Sequence, residues 1–214
     1  MQTDELIRSL SGGVTPVLPG AARRRILMGL AAGAVFPLLS VALLLGVRPD
    51  IGAAIQDVSF WVKFVYTAAL SLSAVMATLY LSRPEVARLR TPWLLGLLPV
   101  AALLLLAIRE AATMSMDAWL GLWLGRSELK CMALIVLLSL PVYAGLVWSF
   151  RQLAPGNLRL AGAMAGLSAG ACAATLYGLH CTESAMAFVF AWYSLGMVLA
   201  ALAGMLAAPR FLRW

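Results

Sequence analysis

Charge is scarce in this chain where it would be most costly. Six apolar runs punctuate the 214 residues, and no Asp, Glu, Lys, Arg or His lies near the middle of any of them. A charge at mid-bilayer costs about 2.5–3.5 kcal/mol on insertion scales, so runs this clean read as lipid spans. The same emptiness counts against an ion-coupled pump or proton relay, which keeps a carboxylate, histidine or lysine inside the membrane. There is one histidine and there are three cysteines, and no Cys-x-x-Cys, which disfavours a thioredoxin-style or quinone-linked oxidoreductase. Nor does any nucleophile and base set suggest a catalytic pocket, so the chain reads as a non-enzyme that implies no cofactor. The composition, 63% hydrophobic and 12% charged, is that of a polytopic membrane protein.

The expected fold is therefore all-α, with six transmembrane helices near residues 26–47, 59–81, 93–108, 131–150, 158–179 and 185–208. Residues 1–25 form a short cytoplasmic N-terminal segment and residues 209–214 a tail. With the N-terminus inside, the inner segments carry Arg8, Arg23, Arg24, Arg25, Arg83, Arg88, Arg90, Arg151, Arg159, Arg210 and Arg213 against Asp4, Glu5 and Glu85. The outer segments carry Arg48, Lys63, Arg109, Arg126 and Lys130 against Asp50, Asp57, Glu110, Asp117, Glu128 and Glu183. The positive-inside rule thus selects N-in and C-in. The net charge of +7 follows topology, and direct nucleic-acid binding is not expected. The first run is longer than the hydrophobic region of a signal peptide, and Arg48-Pro49-Asp50 follows it with no small-residue cleavage site, so it reads as an uncleaved span.

Within the N-terminal segment, Thr3 can cap a short helix whose first turn holds Asp4 and Glu5 and whose one side holds Leu6, Ile7 and Leu10. Such a stripe suits either a disordered leader or a peptide that folds onto a cytoplasmic partner. The loop carrying Arg83, Arg88 and Arg90 suits contact with anionic headgroups. Met116, Trp119, Leu120 and Trp123 suggest an interfacial amphipathic helix on the outer side. Gly162, Gly166 and Gly170 stand four apart on the fifth span, which makes that helix either central in the bundle or a dimer face.

Cys172 falls mid-span and reads as packing. Cys131 and Cys181 fall on the outer side, Cys131 beside Lys130 and Cys181 beside His180 with Glu183 two residues on. Two thiols, an imidazole and a carboxylate on one face could close a structural disulfide, form a redox-switchable pair, or bind a soft metal through Cys131, Cys181 and His180. Sequence alone leaves the three open.

Several stretches together resemble a known family: Thr3-Asp4-Glu5-Leu6-Ile7, Arg48-Pro49-Asp50, Phe60-Trp61-Val62-Lys63, the glycine ladder, and Tyr177 through Ser184 followed by Phe188 and Trp192-Tyr193. The chain resembles the NrsF-type bacterial membrane anti-sigma factors over its whole length. The resemblance implies an inner-membrane protein that holds an extracytoplasmic-function (ECF) sigma factor inactive and releases it under stress, notably heavy-metal stress. It implies that Asp4, Glu5, Leu6, Ile7 and Leu10 contact the sigma factor and that Cys131 and Cys181 sense the signal. A transporter for a metal ion or small molecule, capturing cargo at the outer Cys and His, is the alternative. It lacks a second polar site across the bilayer.

Overall fold

The computed structural model describes residues 3–12, 20–82, 90–115, 121, 123, 125, 128–153 and 155–212, with the side chains of residues 6, 10, 11, 90–92 and 128 outside the description. All regular structure among the described residues is helical. An isolated helix α1, Thr3–Ser11, precedes six helices long and apolar enough to cross a membrane: α2 Ala21–Leu45, α3 Val58–Leu81, α4 Trp93–Ala112, α5 Leu129–Phe150, α6 Leu158–Tyr177 and α7 Met186–Phe211. In a hydrocarbon slab every backbone amide must find its partner within the protein, and a helix of about 20 residues does this alone. The start of α2 and the end of α7 lie at one end of the bundle, the terminus-bearing end, where Ile26 and Leu212 share a cluster with Leu81 and Phe150. The connections at residues 46–57 and 178–185 and the start of α5 lie at the other, the cysteine end.

The observed helices differ from the sequence expectation mostly at their ends. Helix α2 begins at Ala21, so Arg23, Arg24 and Arg25 belong to its first turns and not to a leader. Thr3 is the first residue of α1 and not its cap. Two stretches widen into π-helix, Ser40–Leu45 at the end of α2 and Val189–Tyr193 near the start of α7. Both lie at the cysteine end, and wide turns of this kind are found disproportionately at functional sites. Of the proposed interfacial helix, Met116, Trp119 and Leu120 lie outside the described residues, as do Arg83 and Arg88 and the side chain of Arg90.

Helix α6 is the most buried of the six and packs against α7, α3 and α5, while α2 packs on α5. The glycine ladder explains this position. Gly162, Gly166 and Gly170 lie against Gly204, Ala200 and Met197 of α7, so close that a Cβ at Gly162 would stand 2.5 Å from the Gly204 carbonyl oxygen. The small-residue face is thus filled inside the bundle by α7, as expected of a central helix. A second close crossing brings Gly29 and Gly33 of α2 onto Gly145 of α5, where Ser149 donates to the Arg25 carbonyl at 2.9 Å. Hydroxyls join neighbours elsewhere: Thr78 with Ser168 at 3.0 Å and Tyr66 with Ser194 at 2.6 Å.

Two apolar cores result. One, around Ile26, Val142, Leu146, Phe150 and Ala165, lies at the end carrying the termini. The other contains Tyr66, Cys131, Ile135, Tyr177, Cys181 and Tyr193. The cysteines are therefore part of a packed core.

Candidate functional site at the cysteine end

Three local features deliver the site. Helix α5 starts just before Cys131, so that residue enters the core in the first turn. Helix α6 stops at Tyr177, after which a tight turn, with the amides of His180 and Cys181 donating to the Tyr177 carbonyl at 2.9 and 3.1 Å, swings Cys181 back over the bundle. The α2 chain leaves its π-turn at Gly46, whose φ of +79° favours glycine over any side chain. It then runs beside that turn, with the Arg48 amide donating to the Leu179 carbonyl at 3.1 Å.

The outcome is a thiol pair. The Cys131 and Cys181 sulfurs are 3.6 Å apart, both buried and not covalently joined. Tyr177 donates its hydroxyl proton to the Cys131 sulfur at 3.2 Å. The Tyr193 hydroxyl, from a fully buried side chain, also interacts with the Cys181 sulfur. Beneath them lies Lys63 of α3, 2% exposed. Its ammonium donates to the carbonyls of Cys181 and Glu183, each at 2.9 Å, and lies 5.9 Å from the centre of the Tyr193 ring. Stripping water from an ammonium costs several kcal/mol, so a buried lysine persists only where such acceptors replace the water. The hydrogen bond with Cys131, aided by the Lys63 charge, holds the Cys181 thiol below the usual thiol range although burial pushes the other way.

The sequence assigned the supporting charge to Lys130. That side chain is exposed; the buried cation beside the thiol pair is Lys63, which the sequence placed among the outer charges and in the Phe60–Lys63 stretch of the family resemblance but not at the site. A lone lysine five residues inside an apolar helix was the available signal. Lys130 instead lines a cavity of about 270 Å³, together with Gly46, Arg48, His180 and Cys181. His180 donates from Nδ1 to the Gly46 carbonyl at 2.8 Å, an acceptor-only partner that fixes the tautomer. Arg48 forks onto Asp50 at 2.7 and 2.6 Å, which raises the guanidinium and lowers the carboxyl from their usual ranges. Glu183 is half-buried and enters the site through its carbonyl, bonded to Lys63. Among the described residues no group of three or more His, Cys, Asp or Glu is placed to hold a metal ion. The two sulfurs are what the arrangement offers a soft ion.

Asp4, Glu5 and Ile7 are exposed on α1, with the two carboxylates in its first turn. The side chains of Leu6 and Leu10 lie outside the described residues.

Comparison with known proteins is consistent over the full length. Residues 10–214 match the model of a family described as NrsF, negative regulator of sigma F. The chain is 38% identical over 216 residues to the probable anti-sigma-F factor NrsF of Azospira oryzae, and 39% identical over 215 residues to the anti-sigma-F factor NrsF of Caulobacter vibrioides. In both cases the match covers all of each chain. No solved structure matches it.

Proposed function

The chain belongs to the NrsF family of negative regulators of sigma F, and from that premise we propose how its two ends share the work of an anti-sigma factor. It is a regulatory protein, not an enzyme. The protein sits in the bacterial inner membrane with both termini in the cytoplasm. There α1, through Asp4, Glu5, Leu6, Ile7 and Leu10, holds an ECF sigma factor away from transcription. On the outer face Cys131 and Cys181 receive a thiol-directed signal, a heavy-metal ion or an oxidant, and the hold on sigma weakens.

The observation that carries this reading is the sulfur contact. Two cysteines 50 residues apart meet at 3.6 Å, at the end of the bundle opposite the start of α2. The excess of arginine at the terminus-bearing end supports the orientation. An exposed helix with acids at its start and Ile7 outward is suited to a partner surface. The transporter alternative gains nothing from the bundle interior, where the Thr78 and Ser168 hydroxyls bond each other and carbonyls of their own helices and Ser139 donates to its own helix.

Oxidation would join the sulfurs as each thiol gives up its proton and the oxidant accepts two electrons. Alternatively, a soft ion would displace both protons and bridge two thiolates. Either event draws the start of α5 and the 178–185 turn together, and that turn is continuous with α6 and α7. Moving a two-state equilibrium from 1:99 to 99:1 requires about 5.5 kcal/mol of differential stabilisation. Structural zinc sites with a full set of ligands supply on the order of 10 kcal/mol, and a bridge between two thiolates suffices if it supplies about half of that differentially between the two states.

The test is capture of the sigma factor by full-length protein from membranes, compared with a variant lacking residues 2–14 that still inserts. Loss of capture on deletion is expected. Undiminished capture would place the sigma-binding surface elsewhere.

A further inference from the structure

The two sulfurs are not equivalent in their access to the surface. Cys181 lines the 270 Å³ cavity beside Arg48 and His180, whereas Cys131 is absent from its wall and fully buried behind. Cys181 belongs to the short turn between α6 and α7, where a sulfur could move freely. It does not, because the Lys63 ammonium bridges the carbonyls on either side of Thr182, those of Cys181 and Glu183, at 2.9 Å each. The Arg48 amide bonds to the same turn at Leu179, and His180 reaches back to Gly46. Three contacts thus hold the turn, and the one made by Lys63 lies directly at the cysteine.

We propose that Cys181 is the entry sulfur, met first through this cavity by a small thiophilic ion or molecule, and that Lys63 is the positioning residue that clamps it in front of Cys131. Cys131 then closes the bond or completes the bridge from behind, held by the Tyr177 hydroxyl at 3.2 Å. The cavity has room for an ion or a molecule of a few heavy atoms. Cys181 is 4% exposed and Cys131 0%, so a protein dithiol cannot approach either sulfur while the clamp holds. The inference rests on the pair being the sensor and adds which sulfur reacts first, what holds it, and the size class of the signal.

The experiment uses full-length reduced protein in lipid nanodiscs, with no sigma factor present. It is treated either with methyl methanethiosulfonate or with a polymer-linked maleimide far larger than the cavity, and each cysteine is quantified by peptide mass spectrometry. In the wild type the small reagent should modify Cys181 at least about tenfold faster than Cys131, which corresponds to about 1.4 kcal/mol of extra opening for the inner sulfur. The large reagent should modify neither until the protein is denatured. Lys63→Met removes both bonds and should bring the two rates together and admit the large reagent, while Lys63→Arg, which keeps a cationic donor, should retain most of the difference. Modification of Cys131 first, or of the folded wild type by the large reagent at the small reagent's rate, would overturn the entry-sulfur assignment. Unchanged rates in Lys63→Met would overturn the clamp. Should Lys63→Met fail to insert, Lys63→Leu, which likewise lacks any donor, decides the same point. Because labelling is read without the sigma factor, its failure is distinct from a failure of Cys131 and Cys181 to govern sigma release.

Discussion

Lys63 of α3 and Cys181, 118 residues apart in the chain, meet where the lysine ammonium donates to the cysteine carbonyl at 2.9 Å. The contact joins α3 to the turn between α6 and α7, and through the adjacent sulfurs to α5. The thiol site is thus in direct contact with, or continuous with, four helices. The far ends of α5, α6 and α7 surround the second core, next to Ile26 in the second turn of α2.

Helix crossing at the glycine ladder leaves no room for a methyl group. Gly166→Ala places a Cβ against the Ala200 carbonyl, and overpacking of this kind costs about 1–3 kcal/mol. Gly52 has nothing within 4 Å of its Cβ position, so Gly52→Ala should be neutral or stabilising by about 0.5–1 kcal/mol in its helical turn. Equilibrium unfolding in mixed micelles measures both. Equal effects would contradict the α6–α7 packing.

One buried tyrosine ties α3 to α7. Tyr66→Phe removes the 2.6 Å bond to Ser194, with an expected loss of about 0.6–1.7 kcal/mol, the range for interhelical hydrogen bonds in membranes. The same unfolding assay checks it.

The Arg48–Asp50 pair predicts a pH dependence. Hydrogen bonding from Arg48 lowers the Asp50 carboxyl below the usual carboxylate range, so the folded chain binds this proton less tightly than the unfolded one. The contribution to stability is fully present at neutral pH and lost as pH falls from the usual carboxylate range through the folded value. Asp50 is exposed, so the effect should be small and screened by salt. Thermal melts at low ionic strength should show an acid-side loss in the wild type that is reduced in Asp50→Asn.

On α1 the exposed Ile7 is the residue whose change tests the partner surface without disturbing the bundle. Ile7→Asp should weaken capture of the sigma factor by about tenfold or more, the loss of one buried anchor at an interface. Thr113→Ala, at the cysteine end, should leave capture unchanged. Quantitative pull-down from membranes is the measurement.

Much of this architecture was legible in the sequence because lipid imposes a one-dimensional rule. Runs of about 20 apolar residues with charges only at their margins have few alternatives to helices, and the six appear where they were expected, apart from a few residues at their ends. The meeting of Cys131 with Cys181 could be suspected from the shared outer side, though no spacing rule brings two residues 50 apart to 3.6 Å. The role of Lys63 was hidden for a related reason. Its acceptors are main-chain carbonyls, which carry no sequence signature, and its position near a helix end resembled an ordinary topological charge. The glycine ladder announced close packing but not its partner, since Gly204, Ala200 and Met197 become neighbours only when α7 folds back. The π-turns depend on the backbone alone and left no trace in the pattern.

The central claim is that a change at the cysteine end alters the hold on the sigma factor at the other. The direct measurement loads membranes containing the reduced full-length protein with sigma factor, adds an impermeant thiol oxidant from the outer side, and follows bound sigma while mass spectrometry follows the Cys131–Cys181 disulfide. Release of sigma in step with disulfide formation, absent when both cysteines are changed to serine, is the predicted result. Complete disulfide formation with sigma still bound, or equal release from the serine variant, would contradict it.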